Sequence, residues 1–93
     1  HIAVAPHNYN STTLGLAATL HAVAGMPNFL ITEYFVNFEA MGNELALTPF
    51  KVENSYIELP TTPGLGIDLD EAALARHPYR EFPTRKLRHP ADE

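Results

Sequence analysis

The hydrophobic and polar positions fall into a strand, helix, strand order over the first third of the chain. Residues 1–5 place β-branched Ile2 and Val4 between alanines and stop at Pro6. Apolar residues on both faces predict a short strand covered on both sides, as in a parallel sheet. Residues 6–10 form a polar loop, and Asn10 or Ser11 can cap a helix beginning just after it. From Thr12 to Ala24, the run of Leu14, Leu16, Ala17, Ala18, Leu20, Ala22 and Val23 predicts that helix. Gly25 suits its C′ position and Pro27 enforces the stop. This helix has no charged face, and a helix apolar nearly all round is usually a buried one. One side is expected against a sheet, the other against another domain or subunit. Phe29 to Tyr34 predicts a second buried strand, with Phe29, Leu30 and Ile31 leading to Glu33. The three elements together make a βαβ crossover, whose strands run parallel.

Beyond Tyr34 the pattern is less regular. Residues 35–43 read as irregular chain or a short helix. From Leu45 the character changes. Phe50 to Val52 and Tyr56 to Leu59 are short extended pieces around a turn at Glu53-Asn54-Ser55. Pro60, Pro63, Gly64 and Gly66 mark tight turns. Asp68 or Asp70 can cap a final short helix through Glu71, Leu74 and Arg76, stopped by Pro78. Residues 83–93 carry Arg85, Lys86, Arg88 and His89 with few apolar anchors, which predicts a loosely held tail with solvated charges.

Composition alters the picture in one respect. The chain has 93 residues, with 6 Lys and Arg against 11 Asp and Glu, and no Cys. Charged residues make up 18%, below the roughly one quarter usual for a soluble domain, and Glu33 is the first of them. Either this is an unusually uncharged small protein, or it is part of a larger body that covers the segment. The uncharged run is not a membrane span. Polar residues from Pro6 to Ser11 interrupt it, and Leu14 to Met26 is shorter than the ~20 residues a crossing helix needs. It also lacks the basic start and cleavage site of a signal peptide. With no Cys there is no disulfide framework and no thiolate metal site, and these absences fit a cytoplasmic protein. The acidic balance argues against nucleic acid as a partner.

Two residues stand where α/β folds collect their chemistry, at the C-terminal ends of parallel strands. His7 comes just after the first strand and Glu33 closes the second. An imidazole serves as acid or base near neutral pH. A carboxyl buried at a strand end can keep its proton and donate it to a developing oxyanion. The plainer readings are a loop histidine bonded to nearby backbone, and a glutamate that caps or ion-pairs the chain after the strand. Asn8 and Asn10 can bind substrate hydroxyls or simply shape the loop. His21, inside the apolar helix, reads as a structural histidine. His1, His77 and His89 have no carboxylate or histidine at ligand spacing, so there is no metal motif. Gly64-Leu65-Gly66 lacks the preceding strand and third glycine of a phosphate loop.

The segments HIAVAPHN (1–8), LGLAATLHAVAGMPNFLITEY (14–34) and ELPTTPGLGIDLDEAALARHPYR (58–80), in that order, resemble the C-terminal end of the mandelate racemase / muconate lactonizing enzyme family of the enolase superfamily. The resemblance covers roughly residues 1–80, and its specificity lies in the combination. The PGLGI segment with its acidic-capped helix is especially typical of these enzymes. The resemblance implies an α/β fold, a modified TIM barrel of (β/α)₇β form with an α+β capping domain made from both chain ends. A whole barrel takes about 250 residues. This chain would be the seventh strand, its helix and the eighth strand (1–44), a segment returning to the capping domain (45–82), and a tail (83–93). It is therefore expected to be a C-terminal fragment, inactive alone and poorly soluble because two strands leave open edges.

By the same resemblance, His7 corresponds to the histidine ending the seventh strand, which pairs with an aspartate on the sixth and acts as general base or acid. Glu33 corresponds to the glutamate ending the eighth strand, which hydrogen-bonds the enediolate oxygen. Asn8, from its side-chain chemistry and its place in the loop rather than from the resemblance, is the asparagine expected to contact substrate. A histidine at position 7 favours racemases and acid-sugar dehydratases over members that rely on lysines. The implied cofactor is Mg²⁺, with carboxylate ligands on strands that precede these. The expected reaction is Mg²⁺-assisted removal of the α-proton of a carboxylate substrate, most simply in the dehydration of a sugar acid. Racemisation or epimerisation of a 2-hydroxy acid, or cycloisomerisation, is the alternative. The expected partners are the small carboxylate substrate, the remainder of the barrel and capping domain, and further copies in a homo-oligomer, with no membrane. A reading of another class is a non-catalytic small domain whose uncharged helix binds a partner.

Overall fold

The computed structural model describes residues 2–8 and 11–83. Helix α1 runs from Thr13 to Ala24. Its cap position falls on Thr12 rather than on Asn10 or Ser11, and no side chain caps it. At Gly25, φ −91°, the helix closes: the Gly25 N–H donates to the Ala22 carbonyl at 3.4 Å and the Met26 N–H to the Val23 carbonyl at 3.0 Å. Gly25 is thus a right-handed C-cap and not a left-handed C′ residue. Thr13, Leu16, Ala17, Leu20 and Val23 are buried, one stripe at helical spacing. Leu14, Ala18 and Ala22 are exposed. The helix expected to be covered nearly all round is covered on one face.

The two predicted strand segments lie side by side and parallel, as the crossover requires. The Val4 N–H donates to the Asn28 carbonyl and the Leu30 N–H to the Val4 carbonyl, each at 2.9 Å, forming a parallel bridge between Val4 and Phe29. A third bond, from the Glu33 N–H to the Pro6 carbonyl at 3.2 Å, closes the ladder at its C-terminal end. The Asn28 side chain adds a bond to the Ile2 carbonyl. The expectation that both strands are buried does not hold within this chain. Ile2 is 85% exposed and Leu30 70%, with Ile31 also open. One helix covers at most one face of a strand pair, and the described residues supply no other layer.

A 3₁₀ turn at Val36–Phe38 leads into α2, Glu39–Leu45, across which the Phe35 and Phe38 rings sit 5.1 Å apart. The region expected to be irregular or briefly helical is thus helical to Leu45. Strands β1 (Val52–Glu53) and β2 (Tyr56–Ile57) pair antiparallel. Asn54 and Ser55 between them both take positive φ, 51° and 67°, as the twist-matched two-residue hairpin turn demands. Lys51 pairs with Glu53 beside the turn. Gly64 and Gly66 take φ of 70° and 72°, where a Cβ is costly. At Gly66 a Cβ would also run into the Pro60 ring.

Helix α3, Glu71–Ala75, is capped by Asp70, whose carboxylate accepts the Ala73 N–H at 3.0 Å. Asp68 instead uses its backbone. Its carbonyl accepts the Leu47 N–H and the Asp70 N–H reaches the Leu45 carbonyl, both at 2.9 Å, so that Ala46 and Leu69 form an antiparallel bridge. Beside it Glu44 accepts from Arg76 Nε (3.1 Å) and Nη2 (2.8 Å) on Oε1, and meets His77 Nε2 at 3.3 Å through Oε2. His21 Nε2 lies 3.1 Å from the Leu65 carbonyl, tying α1 to the glycine turn in the structural role expected of it.

The arrangement is α/β and open. The buried apolar side chains of the described residues are small or medium: Leu16, Ala17, Leu20, Val23, Leu45, Ala46 and Ala73. The accessible surface is 7885 Å², where a compact monomer of this mass exposes about 5,400 Å². The radius of gyration is 16.2 Å against about 12 Å for a compact domain of this length. No helix of the described residues is long and apolar enough to cross a membrane. The expected tail, apart from Pro83, lies outside the described residues.

Candidate functional site

The site is built by the parallel ladder. Because the Glu33 N–H bonds to the Pro6 carbonyl, both strands run out at the same level, and the next residue of one and the last of the other emerge side by side. His7 Nε2 stands 3.5 Å from Glu33 Oε2. The same oxygen accepts the Asn8 backbone N–H at 2.9 Å. His7, Asn8 and Glu33, the three site residues expected from the sequence, therefore converge on one carboxylate oxygen. The His7 side chain is 82% exposed and that of Glu33 39%, so the pair faces outward. This differs from the expectation of a glutamate enclosed in apolar surroundings, and the reason is the uncovered strand faces. An imidazole and a carboxyl at this separation can together bind a small polar ligand and move a proton on it.

Asn8 contributes to the cluster through its main chain while its side chain turns inward. The residue is 5% exposed. Its Oδ1 is fully buried and has no hydrogen-bond partner, as is Thr32 Oγ1. Asn8 also lines a cavity of about 30 Å³ with Thr12, Thr13, Tyr34, Glu39 and Phe50. The Tyr34 hydroxyl in this cavity is held above the usual tyrosine range, first by burial, then by the charge of Glu39 and a hydrogen bond to it. Nothing in the sequence marks Tyr34 and Glu39 as a pair. They meet across a 3₁₀ turn, a spacing that becomes informative only once the turn is known.

The remaining sequence candidates separate. Asn10, His1 and His89 lie outside the described residues. His77 engages Glu44, away from the strand ends in sequence and on another element. Gly64 and Gly66 serve a turn. Among the described residues no group of three or more His, Cys, Asp or Glu side chains could hold a metal ion.

Residues 1–73 match the family model described as enolase C-terminal domain-like. The chain is 33% identical over 79 residues to a D-galactonate dehydratase family member of Streptomyces bingchenggensis, a match covering 84% of this chain and 19% of that protein. It is 34% identical over 77 residues to a D-xylonate dehydratase of Haloferax volcanii, covering 83% of this chain and 18% of that one. It is 32% identical over 74 residues to a D-mannonate dehydratase of Xanthomonas oryzae pv. oryzicola, covering 77% and 17%. The chain thus spans about a fifth of the length of the curated relatives it matches. No solved structure gives a significant match. Both His7 and Glu33 fall inside the matched residues, and the chain belongs to the enolase C-terminal domain-like family, within the enolase superfamily.

Proposed function

We propose that this chain is the C-terminal part of a larger barrel enzyme that dehydrates a sugar acid. The observation that carries the reading is the His7–Glu33 pair at adjacent parallel strand ends, 3.5 Å apart and open to a ligand. The relatives named as galactonate, xylonate and mannonate dehydratases support the reaction class and the substrate class. In this reading residues 1–44 are the last strand, helix, strand unit of a modified TIM barrel, and residues 45–82 return to an α+β capping domain. The exposed apolar side chains of Ile2, Leu14 and Leu30 are then contact surfaces for the rest of the barrel or for another copy in a homo-oligomer.

Dehydration removes the α-proton and the β-hydroxyl of the substrate as water and leaves an enol that relaxes to the keto acid. His7 gives its proton to the departing hydroxyl oxygen, or takes the proton from the α-carbon. Glu33, acting in its protonated form, donates a hydrogen bond to the oxygen on which negative charge develops, where a fixed donor is worth most. Asn8 is part of the same cluster. Mg²⁺ belongs to this proposal as the cofactor of the whole enzyme, and because the described residues gather no group of three or more ligating side chains, its carboxylate ligands are assigned to other parts of the protein.

The test is His7→Asn in the complete protein, assayed on a panel of sugar acids with dehydration monitored as keto-acid formation. Turnover is expected to fall by about 10³-fold or more, within the range removal of a catalytic acid or base produces, with the melting temperature unchanged. Near-normal turnover in that variant overturns the role of His7. Exchange of the α-proton with solvent but no loss of water would place the enzyme among the racemases and epimerases. A complete protein with no activity on any carboxylate substrate would favour a binding module.

A further inference from the structure

Asn8 is the one residue of the cluster whose two halves face different ways. Its N–H donates to Glu33 Oε2 at 2.9 Å, on the side where His7 Nε2 approaches the same oxygen. Its Oδ1 is buried, and the residue lines a cavity with Thr12, Thr13 and Tyr34. With 5% of the residue exposed and no accessible surface at Oδ1, the carboxamide oxygen offers nothing to a substrate lying over His7. A glutamate side chain has three rotatable bonds, so the aim of its carboxyl must be held by neighbours. Here the Pro6 carbonyl fixes the Glu33 backbone, and the Asn8 N–H fixes one carboxyl oxygen.

We infer that Asn8 is a positioning residue: its buried carboxamide anchors the peptide whose N–H aims the Glu33 carboxyl at the ligand, and it does not itself touch the substrate. This rests on the proposed function and revises the substrate contact that the sequence suggested for Asn8. A purely loop-shaping role leaves unexplained why the N–H that reaches the carboxyl belongs to the most deeply buried of the described loop residues.

The test is a double-mutant cycle in the complete protein. Asn8→Ala is expected to lower kcat about tenfold or more while KM stays within about twofold, because what is lost is the aim of a group that acts in the transition state. In a Glu33→Ala background, which removes the group the Asn8 N–H holds, Asn8→Ala assayed at high enzyme concentration is expected to change kcat by less than about twofold, since coupled residues are non-additive. A raised KM with unchanged kcat would mean that Asn8 contacts the substrate, and would overturn the inference. Equal losses in both backgrounds would also overturn it. If Asn8→Ala fails to fold by circular dichroism, Asn8→Ser takes its place in the same cycle. The two readings fail separately. Normal turnover in both His7→Asn and Glu33→Ala removes the proposed function. Loss of turnover in those variants with normal kinetics in the Asn8 variants removes only the positioning role.

Discussion

Up to Glu33 the chain has no charged side chain, and its two strands touch through three backbone bonds and one parallel bridge. From Leu45 onward the segments are shorter, yet each carries its own fastening. The hairpin has its left-handed Asn54-Ser55 turn, the loop has Gly64 and Gly66, α3 has its Asp70 cap, and Arg76 and His77 clasp Glu44. The first region carries the proposed catalytic pair and the second carries the local constraints. The first is apolar because its stability must come from burying faces against other layers, a force proportional to area and indifferent to local sequence. The second is held by directional contacts that a few residues supply on the spot.

The largest consequence concerns the chain by itself. Expressed as these 93 residues alone, it is expected to show no dehydratase activity and no cooperative thermal transition, with fast amide exchange over residues 2–33 and slower exchange around the Ala46–Leu69 bridge. An open pair of parallel strands with exposed Ile2, Leu30 and Ile31 is also an edge that recruits other chains. Hydrogen exchange and a calorimetric scan are the measurements. A soluble monomer that melts in one sharp step, with strand amides as protected as the bridge, would erase the contrast between the regions.

The same division explains what the sequence discloses. The turn at Glu53-Asn54-Ser55, the glycine turns and an aspartate cap near residue 70 are legible because the residue types that satisfy those backbone geometries are few. The helix over Thr13–Ala24 is legible from its run of leucines and alanines and its Gly-x-Pro stop. Its cap is not, since Asn10, Ser11 and Thr12 are equally eligible by type and the structure leaves Thr12 without a side-chain bond. The parallel pairing and the meeting of His7 with Glu33 result from crossover topology, whereas the Glu44–Arg76–His77 clasp and the Tyr34–Glu39 bond join residues with no spacing rule between them. A smaller effect sharpens this point. Gly64 and Gly66 share a left-handed φ, but a Cβ at Gly64 meets open space while at Gly66 it meets Pro60. In the complete protein Gly64→Ala should cost about 1 kcal/mol, the penalty of the backbone conformation alone. Gly66→Ala should cost about 2–4 kcal/mol, with overlap added to it. Denaturant titration of both variants measures the difference, and equal losses would mean that the Pro60 contact yields freely.

The smallest effect tests the clasp that closes the second region onto α2. Hydrogen bonds from Arg76, then from His77, hold the Glu44 carboxyl below the usual carboxylate range, with a minor opposing contribution from burial. A carboxyl whose pKa is lower folded than unfolded stabilises the folded state above its unfolded value, and the contribution is lost as pH falls through the lowered one. The melting temperature of the complete protein should therefore exceed that of Glu44→Gln at neutral pH, and the gap should close on acidification below about pH 4, where the unfolded carboxyl takes up its proton. Because Glu44 and Arg76 are open to solvent, the gap should be small and should shrink in high salt. A gap that ignores both pH and salt would mean that Glu44 holds α3 by packing rather than by charge, and the contrast between a region fastened by area and a region fastened by direction would lose its clearest instance.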